Sequence, residues 1–167
     1  CGMVPYELSN FAKPGYESQH NSLYWSDHSY WGVGLSAHSY DNSIGFGLRF
    51  WNSKNLKTYA LQANFSQLPR EQQELLLLNE ALTDFCHTRL RTAGGLSLDA
   101  LRCKFSDNLV SLVFPRLKAL QDRQLLSSTG DYWSLTREGR LLSNKVFLEL
   151  TFLPEEITAP GLDSLKL

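Results

Sequence analysis

Leu125-Leu126-Ser127-Ser128-Thr129-Gly130-Asp131-Tyr132-Trp133-Ser134-Leu135 is two short runs on either side of Gly130-Asp131, the signal of a tight β-hairpin. Downstream, Thr136-Arg137-Glu138-Gly139-Arg140 opens a helix that the pattern carries to about Leu150. Upstream, a third helix spans about Leu109 to Asp122, and Ser97 is placed to cap a short helix beginning Leu98-Asp99-Ala100-Leu101. Gly94-Gly95 ends a longer stretch of helix formers from Arg70 to Leu90, in which Leu75, Leu76, Leu78, Leu82 and Phe85 supply the apolar face and Pro69 suits the first turn. Helix, short helix, helix, hairpin and closing helix is the order of a winged-helix-like module over residues 64–150. Residues 151–167, with Pro154, Pro160 and Gly161, read as a frayed tail.

Residues 1–63 differ in character. They are rich in aromatics, Gly, Ser and Asn, with Pro14-Gly15 marking a turn, and read as strands and loops. Cys1-Gly2-Met3-Val4-Pro5 shows no helix cap or polar lead-in, so the beginning is expected to be a cut inside a larger protein. The expected fold class is α+β.

The chain has 167 residues, 43% of them hydrophobic and 20% charged, which is enough for one domain or two small ones without covalent staples. A net charge of -1 offers no field that would draw the whole chain onto nucleic acid or anionic lipid. Residues 68–150 hold 11 Lys and Arg against 10 Asp and Glu, unlike the basic footprint of a duplex binder. Cys1, Cys86 and Cys103 are too dispersed for a disulfide framework or a metal knuckle, so a reducing, cytoplasmic setting fits. No apolar run approaches the roughly 18 residues of a membrane span.

His20 among Tyr24 and Trp25 is an imidazole that could ligate a metal while flat rings pack against a porphyrin face. An extended chain would put His20, Ser22 and Tyr24 on one side and Asn21, Leu23 and Trp25 on the other. The simpler alternative is a hydrogen-bonded histidine near a strand end, with Tyr24 and Trp25 in the core. Gly32-Val33-Gly34 reads as a strand-like run whose bare backbone either admits a ligand or forms a bulge. It lacks the third glycine and following helix of a dinucleotide fingerprint. A nucleophile elbow, a P-loop and a zinc helix are all missing from the sequence. Glu71, Glu74 and Glu80 fit a solvated face, and Arg89, Arg91, Arg137 and Arg140 fit solvated surface first, with pairing to carboxylates or ligand propionates as the alternative.

Several blocks together resemble the HemW-type heme chaperones. They are Tyr6 through Ala12, Lys13-Pro14-Gly15-Tyr16, His20-Asn21-Ser22-Leu23-Tyr24-Trp25, and Gly32-Val33-Gly34 with Ala37-His38-Ser39. That family is similar to the oxygen-independent coproporphyrinogen III oxidases of the radical S-adenosylmethionine (SAM) superfamily. The likeness continues through Arg49, Asn52 and Tyr59, an R-x-x-N-x-x-x-x-x-x-Y pattern, and through Leu135-Thr136-x-x-Gly139-Arg140-Leu141-Leu142, covering about residues 2–150.

The resemblance implies the terminal strands of a radical SAM partial (β/α) barrel in residues 1–63, followed by the winged-helix-like domain. It implies that the H-N-x-x-Y-W motif, met by His20, Asn21, Tyr24 and Trp25, binds heme, with His20 as the iron ligand, and that Gly34, Ala37 and His38 lie on the SAM side. The family's [4Fe-4S] cluster is held by a C-x-x-x-C-x-x-C motif that this sequence does not contain, so no cluster ligand is expected here and the chain by itself should be inactive as an enzyme. The implied function is heme binding and delivery to acceptor proteins such as respiratory cytochromes. Homodimerisation is left open, and neither nucleic-acid binding nor membrane insertion is expected. The alternatives are coproporphyrinogen III oxidation in porphyrin biosynthesis and a non-catalytic winged-helix interaction module.

Overall fold

The structure, a computed structural model, describes residues 2–64 and 70–157. Cys1, Pro69, Pro160 and Gly161 lie outside the described residues. The fold is α+β, with three small antiparallel sheets and several helices among the described residues.

The first half is built from short elements. Strand β1 (Val4–Pro5) pairs with β2 (Phe11–Ala12), and helix α1 spans Gln19–Tyr24. The extended reading of His20 to Trp25 is therefore corrected. Ser18 caps the segment, its Oγ accepting from the Asn21 N–H at 3.2 Å, and one turn of helix puts His20 and Tyr24 on one face.

Strand β3 (His38–Asp41) and β4 (Leu48–Asn52) form a hairpin, and α2 (Leu56–Asn64) follows. β4 alternates cleanly, with Leu48, Phe50 and Asn52 inward. Its free edge takes up Arg70–Leu75 as β5, in register Arg49↔Glu74 and Phe50↔Gln73. This overturns the helix expected from Arg70. The helix formers Arg70-Glu71-Gln72-Gln73-Glu74 yield to a strand edge already in place, and the Arg70 guanidinium covers the Phe50 ring at 3.9 Å. The helix begins only at Leu78, as α3 (Leu78–Arg91), where the Glu80 carboxylate accepts from the Leu77 N–H.

The second half follows the expected order closely. Ser97 caps α4 (Leu98–Phe105) by accepting from the Ala100 N–H, and α5 runs Asp107–Asp122. Strands β7 (Leu126–Thr129) and β8 (Tyr132–Leu135) form the hairpin, and β8 also pairs with β6 (Leu96–Ser97). The closing helix is broken at Leu142 into α6 (Arg137–Leu141) and α7 (Ser143–Glu149). The tail does not fray at Leu150. Phe152 is buried, and α8 (Pro154–Ile157) tucks Ile157 against the core.

The main hydrophobic core runs from Leu76 to Ile157 and includes Leu82, Leu101, Leu117 and Val146. Leu8, Tyr40 and Phe46 from the first half pack against it, which seats the N-terminal loops on α3 and α4. Among the described residues, no helix is long and apolar enough to cross a membrane.

Candidate functional site

The motif helix α1 lies on the surface with no residue fully buried. His20 is exposed, its Nε2 is 3.1 Å from the Tyr24 hydroxyl, and the two rings meet edge-on at 5.0 Å. The Tyr24 ring continues inward onto Tyr30 at 4.6 Å, and Tyr30 leads to Tyr40 at 6.1 Å. A row of rings thus runs from an open imidazole to the interior.

Asn21 and Trp25 occupy the neighbouring face, both half-buried. The Trp25 ring lies under the Arg91 guanidinium at 4.6 Å, and Arg91 Nε donates to the buried Glu7 carboxylate at 3.0 Å. Arg89 donates to the Ser26 carbonyl at 3.3 Å. The motif is therefore clamped to the C-terminal end of α3 from beneath. His20 and Tyr24 are brought together as an outward pair, and Trp25 is the anchor below them.

The inner end of the ring row is polar. The Tyr40 hydroxyl donates to Asp27 Oδ1 at 2.9 Å, and Lys104 from α4 reaches the same oxygen at 2.5 Å. Burial, then the Asp27 charge, raises the Tyr40 phenol well above its ordinary value, so it stays a donor. Burial, followed by Tyr24, raises Tyr30 as well. Beside them, Arg49 on β4 donates to Asp84 on α3 and has Glu74 at 3.8 Å. Burial raises the Asp84 carboxyl above the usual carboxylate range despite the opposing pull of Arg49.

Gly34, Ala37 and His38 belong to a loop and the strand it enters. Residues 31–37 form no strand, which corrects the strand-like reading of Gly32-Val33-Gly34; β3 begins only at His38. A Cβ on Gly32 would lie 2.3 Å from the His38 carbonyl oxygen, so this glycine serves backbone against backbone. Gly34 has φ +107° and open space around it; its N–H donates to the Tyr59 hydroxyl and its carbonyl accepts from Asn52 Nδ2. Asn52 and Tyr59 are thus the clamps of this loop, and Arg49 from the same sequence pattern belongs instead to the polar cluster. The His38 ring stacks on Trp51 at 5.5 Å.

Among the described residues, no group of three His, Cys, Asp or Glu could hold a metal ion. Cys103 is exposed, and Cys86 is buried, its thiol pushed up to about 12 by that burial, so it is inert as a nucleophile. Sequence reasoning missed Asp27, Tyr30, Tyr40, Asp84 and Lys104. They come from four separate stretches, Asp27 and Tyr30 sharing one loop, and no local pattern joins the four.

Residues 76–142 match the HemN C-terminal domain. The chain is 34% identical over 146 residues to the heme chaperone HemW of Bacillus subtilis, covering 87% of this chain and 38% of that protein. It is 34% identical to HemW of Mycobacterium tuberculosis, covering 87% and 34%, and 30% identical over 162 residues to HemW of Escherichia coli, covering 93% and 39%. It thus spans under two fifths of the length of these curated relatives. Among solved structures, the radical SAM enzyme coproporphyrinogen III oxidase (HemN) of Escherichia coli superposes with a TM-score of 0.61 at 17% identity, over 90% of this chain and 37% of that one, a likeness of fold. The chain thus resembles a portion of the HemW-type heme chaperones and carries, over residues 76–142, a match to the HemN C-terminal domain.

Proposed function

We propose that this chain is the C-terminal part of a heme chaperone, and that α1 is its heme-facing surface. The observation that carries the reading is the outward pair on that helix. His20 offers an accessible imidazole, and Tyr24, fixed at its side by the 3.1 Å contact, offers a flat ring for the macrocycle edge. Heme here is cargo, and an open site suits a group that must be handed on to acceptors such as respiratory cytochromes. The clamp of Trp25, Arg91 and Glu7 holds the helix while its outer face stays free.

In the same reading residues 1–63 carry the terminal strands of a radical SAM partial barrel with a connecting segment, and residues 64–150 form a winged-helix-like domain, followed by the tail. SAM and a [4Fe-4S] cluster are cofactors of the intact protein. In that reading Gly34, Ala37 and His38 lie on the SAM side, and the cluster is held by a cysteine motif of the intact protein that this sequence does not contain. The setting is the cytoplasm, without nucleic acid or membrane insertion.

Heme titration followed by absorbance tests the reading. The wild-type full-length protein gives a bound-heme spectrum, and His20→Ala shifts that spectrum and weakens binding. Unchanged spectra and affinity remove His20 as the ligand. The likeness to a coproporphyrinogen III oxidase favours a second reading, oxidative decarboxylation of that substrate. An assay for protoporphyrinogen formation separates the two, since a chaperone binds heme and yields none.

A further inference from the structure

Beneath Tyr24 lies a cavity of about 70 Å³, enclosed by α1, β4 and α3. One part of its wall is apolar, from Leu23, Leu76 and Phe85. The rest is polar: Arg49, Tyr30, Tyr40 and His28 line it, together with two carboxylates that already have cations, Asp27 paired with Lys104 and Asp84 paired with Arg49. The volume is far below the roughly 300–1,000 Å³ of sites that engulf a drug-sized ligand, so no macrocycle enters it. A short methylene arm ending in a carboxylate matches it in size and in polarity, with stem against the aliphatic wall and tip toward the guanidinium.

Arg49 is suited to such a tip. Asp84 takes one end of its fork, Glu74 at 3.8 Å is beyond hydrogen-bonding distance, and the side chain is 41% exposed. A guanidinium carries five donors, so donors remain for an incoming carboxylate. The cavity also adjoins the ring that flanks His20, one side-chain length from where a macrocycle would rest on α1.

We propose that this cavity is a carboxylate subsite that receives one propionate arm of the tetrapyrrole lying over His20, with Arg49 as the cation that binds it. The inference rests on the tetrapyrrole reading of α1 and adds a second, independent anchor. The iron-side ligand recognises the metal, and Arg49 recognises the carboxylate and fixes the rotation of the ring in its plane.

The test compares two probes, hemin and hemin dimethyl ester, titrated into the full-length protein. Wild type binds hemin more tightly than the ester, and Arg49→Ala weakens hemin about tenfold or more while leaving the ester unchanged. Arg49→Lys, which keeps charge but loses the fork, falls between. Should Arg49→Ala fail to fold, Asp84→Asn decides: removing the competing carboxylate tightens hemin and not the ester. Equal affinity of wild type for both probes, or equal weakening of both by Arg49→Ala, overturns the subsite while leaving the α1 reading intact. Failure of wild type to bind either probe, or an unchanged hemin spectrum in His20→Ala, overturns the α1 reading instead. Coproporphyrin III, with four such arms, is a third probe. Tighter Arg49-dependent binding than hemin assigns the arm to an oxidase-type substrate, and weaker binding assigns it to heme.

Discussion

Glu7 sits in the loop between β1 and β2, yet its side chain is 1% exposed. A carboxylate is kept there by the Arg91 Nε at 3.0 Å and by the Ser9 N–H, which donates to the other oxygen at 2.7 Å. The same guanidinium covers Trp25, so one arginine holds the N-terminal loop and the motif helix together. Arg91→Ala leaves the carboxylate buried without its cation and should cost about 2–4 kcal/mol, read as a fall in thermal melting temperature. Arg91→Lys recovers only part, because an ammonium cannot both stack on the ring and meet the carboxylate edge. An Arg91→Ala melt equal to wild type would show that Glu7 reaches water when the arginine is removed. The sequence left Arg91 between solvated surface and a carboxylate pair; nothing in Tyr6-Glu7-Leu8 announces burial and the partner lies 84 positions away, so the pair itself could not be read. His20, Asn21, Tyr24 and Trp25 were legible as a group because they sit within one motif. The extended reading already paired His20 with Tyr24 and Asn21 with Trp25; what the helix changes is the company of Ser22 and Leu23 and the one-turn spacing that brings the His20 and Tyr24 rings into contact.

Elements whose own residues carry start, stop and period signals formed where the sequence put them. Ser97 caps α4, Gly130-Asp131 turns the hairpin, and Thr136 caps α6. The segment Arg70–Leu75 has a helical composition and becomes β5 because the edge of β4 supplies backbone partners that no local signal reveals. Residues 20–24 lack a strand partner and form one turn of helix from a serine cap. At the element scale the sharpest test is Thr136. Its Oγ1 accepts from the Gly139 N–H at 3.0 Å and donates to the Gln124 carbonyl at 2.7 Å, so it both starts α6 and ties it to the entry of the hairpin. Gly139 in turn must be bare, since a Cβ there would meet the Leu125 carbonyl oxygen at 1.9 Å. Thr136→Ala should cost roughly 1–2 kcal/mol, and Thr136→Ser should restore most of it, by urea denaturation. Equal loss in both variants would assign the effect to the methyl group and its packing.

Over the whole molecule, α3 is the spine onto which the other parts dock, and its far side receives the tail. The Phe152 N–H donates to Thr83 Oγ1 at 2.9 Å, and Arg116 on α5 donates to the Glu149 and Thr151 carbonyls and pairs with Glu156. His87 on α3 donates from Nε2 to the Phe147 carbonyl at 2.8 Å, with its ring 5.0 Å from that of Phe147. Burial lowers the His87 imidazole below its ordinary 6.5, outweighing the raising effects of the Phe147 carbonyl and the Asp84 charge. The unfolded chain therefore takes up a proton near pH 6.5 that the folded one refuses, and stability falls as pH drops from there through the folded value. Asp84 has the opposite sign. Its carboxyl is raised from 3.8 by burial, so its contribution is full below that value and is lost as pH rises through the folded one. The two windows follow one another: on acidification His87 loosens the docking of α7 first, and protonation of Asp84 offsets part of the loss lower down. Melting temperature measured between about pH 7 and pH 5 should fall for wild type and stay flatter for His87→Gln, whose amide can still donate to the Phe147 carbonyl without titrating. Parallel curves for the two proteins would place the acid sensitivity elsewhere than in the contact between α3 and α7.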